Sequence, residues 1–172
     1  MAVPANDLCV NAIAILGFPF SVTVDTTGAT HDPATPDNNW GSGNSYNGVW
    51  YKWVATPGIT RLSLTLAHDA GGLSVCSVLT GASCGALVAP PGGPGTNSGN
   101  TRIVQDLVEG QTYYFLLTTF TAGGIPAMTF SIAHPVPTGD FCITLLESLP
   151  QISTPQWRLH QFMMRPRTEQ NA

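Results

Sequence analysis

Four histidines head the side chains able to do chemistry: His31, His68, His134 and His160. Two of them stand beside an acid, in His31-Asp32 and His68-Asp69. Nucleophilic catalysis needs a nucleophile, a base and an orienting group within reach of one another. Ser and Thr are abundant, but no Gly-x-Ser-x-Gly elbow presents one of them. Both His-Asp pairs fall in polar loop sequence and read as solvated turns. Glycoside hydrolysis needs two acids on one cleft floor. Asp25, Asp106 and Glu109 instead fall at predicted strand ends and turns. The Gly-rich run 92–99 lacks the Lys-Ser/Thr pair of a phosphate loop and does not join a strand to a helix. The chain therefore reads as non-enzymatic.

Cys9, Cys76, Cys84 and Cys142 permit three complete pairings, and none forms a CxxC. With no His or Cys at close spacing, zinc is not expected. Two disulfides formed in an oxidising setting are expected, with their connectivity open. Trp40 and Tyr46 lie inside a polar loop and are the candidates for stacking on a glycan. Trp50, Tyr51 and Trp53 read instead as core and cross-strand residues. A third set lies in the C-terminal tail, where Trp157, Leu159, Phe162 and Met163 alternate with Arg158 and Arg165. Apolar anchors on a basic arm are suited to docking on a partner subunit.

These residues must be held by strands. Period-two alternation marks Ser21–Asp25 and Thr60–Ala67, with Leu62, Leu64 and Leu66 on one side and Arg61, Ser63 and Thr65 on the other. Val49–Ala55 has the aromatic and β-branched content of a central strand. Leu73–Leu79, Thr101–Leu107, Thr112–Thr119 and Ala127–Ala133 complete the set, punctuated by turn signals such as Thr56-Pro57-Gly58 and Glu109-Gly110-Gln111. Residues 89–100 are so rich in Gly and Pro that they predict a surface loop with nothing to bury. Helical period fits only residues 141–149, and weakly. Seven or eight strands without a helix before residue 140 predict an all-β fold. Its form is an antiparallel two-sheet β-sandwich, jelly-roll-like, over residues 1–136. Residues 137–172 form an extended C-terminal arm in this reading.

Composition excludes several classes. Charged residues are 9 % of the 172 and hydrophobic ones 43 %, too little charge for long wet helices and too much apolar content for a disordered chain. The net charge of −4 argues against nucleic-acid binding. It divides into −6 over residues 1–150 and +2 over 151–172. No segment reaches the roughly 18 apolar residues of a membrane span. The opening Met-Ala-Val-Pro-Ala-Asn-Asp lacks the basic and apolar regions of a signal peptide.

Several segments resemble, in order, a β-sandwich module of secreted bacterial proteins, the bacterial pre-peptidase C-terminal-like domain. They are Pro4-Ala-Asn-Asp7-Leu-Cys9-Val-Asn-Ala-Ile13, Thr27-Gly-Ala-Thr30-His-Asp32, Gly48-Val-Trp50-Tyr51-Lys-Trp53, Leu73-Ser-Val-Cys76 through Cys84-Gly-Ala-Leu87, and Val108-Glu-Gly110-Gln-Thr-Tyr113-Tyr114. The likeness covers about residues 4–133 and implies a sandwich fold. Members often carry an Asp pair after the Cys-Gly-x-Leu turn, which implies calcium. Here that stretch is Val88-Ala-Pro-Pro-Gly-Gly-Pro94, without an acid. Hard cations need several oxygen ligands, usually with carboxylates among them, so no cofactor is expected, and Asp32, Asp37 and Asn38 remain as the candidate calcium ligands.

Pro137-Thr-Gly-Asp140-Phe-Cys142-Ile echoes Pro4-Ala-Asn-Asp7-Leu-Cys9-Val. An arm that mimics the start of a module could add to a neighbouring subunit. Two functions follow as expectations. One is a structural subunit of a homo- or hetero-oligomeric assembly, such as a phage virion head-decoration or tail or fibre protein. The other is an exported carbohydrate- or surface-binding accessory module. The location is accordingly virion or extracellular, with other protein subunits or a glycan as partner, and neither nucleic acid nor membrane insertion.

Overall fold

The computed structural model describes residues 2–32, 46–68, 73–90, 95–97, 99–120 and 123–135. All belong to one unit, Met1–Pro135. Nine strands run through it: β1 Ile13–Ala14, β2 Phe20–Val24, β3 Tyr46–Val54, β4 Arg61–Ala67, β5 Ser74–Thr80, β6 Gly95–Asn97, β7 Thr101–Gln105, β8 Thr112–Thr119 and β9 Met128–Ala133. Two short 3-10 turns, Cys9–Asn11 and Cys84–Ala86, are the helical elements among the described residues. The strands form two sheets, ordered β1-β3-β8-β5-β6 and β2-β9-β4-β7. The expected β-sandwich is the fold.

Alternation decides which face of each strand is buried. In β4 the burial pattern puts Leu62, Leu64 and Leu66 inside and Arg61, Ser63 and Thr65 outward, as their spacing predicts. The inner faces meet in one core in which Phe130 is fully buried. Its ring centroid lies 5.8 Å from that of Tyr51 and 5.9 Å from that of Phe115. Trp53 packs beside Tyr113 at 6.1 Å. The two Phe130 contacts join strands of opposite sheets, the Trp53–Tyr113 contact joins neighbouring strands of one sheet, and all are favoured by the quadrupoles of the rings.

Two features differ from the sequence expectations, and a third lies outside them. The pairing of β1 with β3 is parallel, Ile13 opposite Tyr51, whereas the other ladders are antiparallel. No hairpin links these two strands, since β2 in the opposite sheet intervenes, so nothing forces them antiparallel. Residues 95–97, expected in a loop, form edge strand β6 against β5, with Thr96 buried opposite Cys76. Ladder pairing uses main-chain groups and needs no apolar side chain. Finally, β5 and β8 are buried on both faces over almost their whole length. The expected arm, 137–172, lies outside the described residues.

Candidate functional site

The outer face of the five-stranded sheet is covered by the chain's own N-terminal segment. Trp50, Leu79, Tyr114 and Leu116 face outward there and are buried by Cys9, Ala12 and Leu87. The two covering turns are joined by the disulfide Cys9–Cys84, which spans 75 residues. A bridge closing a loop of that length contributes about 2–4 kcal/mol, chiefly by restricting the unfolded chain in the chain-entropy account.

Three polar residues seat that segment. Asn6 stands against β3 like an extra strand residue. Its carbonyl accepts the Trp50 main-chain N–H at 2.8 Å, and its Nδ2 donates to the Trp50 carbonyl at 2.8 Å. Asp7 accepts the Thr30 main-chain N–H at 2.5 Å and the Thr30 hydroxyl at 2.6 Å, one on each carboxylate oxygen. Asp32 Oδ2 accepts the main-chain N–H of Cys9 at 2.8 Å. All three are buried. Bonds from neutral donors to a carboxylate exceed ordinary ones in strength, and a buried carboxylate left without them would be costly. Burial raises the Tyr51 phenol above its usual range, while a bond to Asn6 acts the other way.

The candidate calcium ligands do not assemble in the described part. Asp32 is engaged by Cys9, and Asp37 and Asn38 lie outside the described residues. No group of three His, Cys, Asp or Glu able to hold a metal occurs among the described residues. Of the His-Asp pairs, His68 keeps both ring nitrogens buried without a hydrogen-bond partner, and Asp69 is outside the described residues. Asp25 sits just beyond β2, exposed. Its Oδ1 accepts the Thr27 N–H at 2.8 Å and the Thr27 hydroxyl at 2.6 Å, which lowers its pKa below the usual carboxylate value. Asp25 and Thr27 line an open groove of about 540 Å³ with Ala2, Val3 and Pro4.

The cysteine expectation is corrected in part. Cys9 and Cys84 form a disulfide, but Cys76 is a free thiol, so the four cysteines do not form two bridges. Cys76 points from β5 into the core with no exposure, and this burial pushes its thiol well above the ordinary value. Cys142 lies outside the described residues, as do Trp40 and the docking set Trp157, Arg158, Leu159, Phe162, Met163 and Arg165. Tyr46 begins β3 opposite Thr119; its side chain lies outside what the structure describes. Trp50, Tyr51 and Trp53 are buried, as their strand predicts. Asn6, Asp7 and Thr30 were quoted in sequence only as parts of motifs. The signal for their contact was their place in two short segments that the fold brings together.

A second surface emerges from the register of the four-stranded sheet. Its outward positions form rows of hydroxyls. Ser21 on β2 faces Ser131 on β9, and Ser131 faces Thr65 on β4, which faces Thr101 on β7. The Ser21 and Ser131 hydroxyls are 2.9 Å apart, those of Thr65 and Thr101 3.0 Å. A second row pairs Thr23 with Thr129.

No family model matches the chain, and no curated protein matches it. A solved structure, the Paenibacillus sp. cycloisomaltooligosaccharide glucanotransferase complexed with cycloisomaltoheptaose, superposes with 16 % identity and a TM-score of 0.31. The match covers 72 % of this chain and 20 % of that one, so the chain spans about a fifth of its length. A superposition this loose carries no argument about either fold or function.

Proposed function

We propose that this chain is a non-catalytic, surface-binding module of an exported protein. The observation that carries the reading is the Cys9–Cys84 disulfide, which closes two turns over the Trp50 cluster. Disulfides of this structural kind persist in oxidising compartments and are rare in the cytosol. The resemblance of residues 4–133 to pre-peptidase C-terminal-like modules points the same way. Support for a non-catalytic role comes from the buried acids: Asp7 and Asp32 are occupied by Thr30 and by the Cys9 N–H, in contacts that close the fold. No helix long and apolar enough to cross a membrane occurs among the described residues.

Peptide mapping of the protein from its native source, under non-reducing conditions, tests the exported history. A Cys9–Cys84 cross-linked peptide is the expected result, and recovery of both residues as thiols would overturn it. Retention on a panel of insoluble glycans tests the binding role. The reading as an assembly subunit, such as a virion component, rests on residues 137–172, which lie outside the described residues. Light scattering of the full chain separates the two: a monomer near 18.1 kDa is expected for the module, and a stable oligomer for the subunit.

A further inference from the structure

We draw no further inference here: the strongest candidate, the apolar patch at the β1 edge of the five-stranded sheet, where Ile13 of β1, Leu16 just beyond it and Val54 of the neighbouring β3 are exposed, carries nothing because nothing in the structure shows what covers it.

Discussion

Asp32 accepts the main-chain N–H of Cys9 at 2.8 Å, on the same residue whose sulfur is bonded to Cys84. Cys9 is thus fixed twice, through its backbone to the loop after β2 and through its side chain to the turn after β5. Around it, Asn6 and Asp7 attach the preceding residues to β3 and to Thr30. The N-terminal segment is part of the sandwich rather than a loose lead-in, because it supplies the cover for Trp50, Tyr114 and Leu116.

Breaking the bridge should be costly but not fatal. Cys84→Ser is expected to lower stability by about 2–4 kcal/mol, read from urea unfolding. Reduced wild type should match the variant, because the Trp50 cluster and the Asn6 and Asp7 contacts survive. An equal midpoint for oxidised and reduced wild type would contradict this account of the staple.

Asp7 should matter more than its hydrogen-bond count suggests. Asp7→Ala removes the buried acceptor of two part-buried, charge-assisted bonds, from the Thr30 N–H and hydroxyl, at an expected cost of about 1–3 kcal/mol. Thr30→Val removes only the hydroxyl bond and should cost less. The double variant should fall short of the sum, because both changes act on one contact. Strict additivity in a thermal-melting cycle would show that the pair is not coupled.

Cys76 gives a pH signature. Its folded thiol stays protonated far above 9.0, its ordinary value, because it is buried in the core. The unfolded thiol ionises near the ordinary value. Above about pH 9 the unfolded state therefore holds fewer protons, and stability falls as pH rises, by up to about 1.4 kcal/mol per unit. Below that value the thiol contributes no pH dependence. Cys76→Val should flatten the alkaline limb, and the native thiol should resist a disulfide-exchange reagent that labels it on denaturation. Rapid native labelling would contradict its burial.

Gly124 holds a close crossing. It lies at φ +84°, and a Cβ there would come within 2.5 Å of the Thr26 carbonyl oxygen. The same crossing carries the Ile125 N–H to Thr26 Oγ1 bond at 2.8 Å and the Thr26 N–H to Ile125 carbonyl bond at 2.9 Å. Gly124→Ala is expected to cost about 1–3 kcal/mol from backbone strain alone, with the clash adding to it. A melting temperature equal to wild type would show that the loop moves aside freely.

Alternation is a local property, and the sequence by itself determined what depends on it. Leu62, Leu64 and Leu66 announced the inner face of β4, Trp50 to Trp53 announced a buried strand, and the turn residues placed the breaks between them. Each such signal needs only a strand with one dry face. The tertiary structure decided what depends on residues distant in sequence. It selected Cys84 over Cys76 as the partner of Cys9, because Cys76 occupies an inward position of β5 while Cys9 covers the outer face of the same sheet. It drew Gly95–Asn97 into a ladder through main-chain groups that composition does not reveal. It set Ser21, Ser131, Thr65 and Thr101 in one row, although each hydroxyl had looked like an ordinary wet position in its own strand. Period two says which side a residue faces, but only the register between strands far apart in the chain says which residues lie beside it.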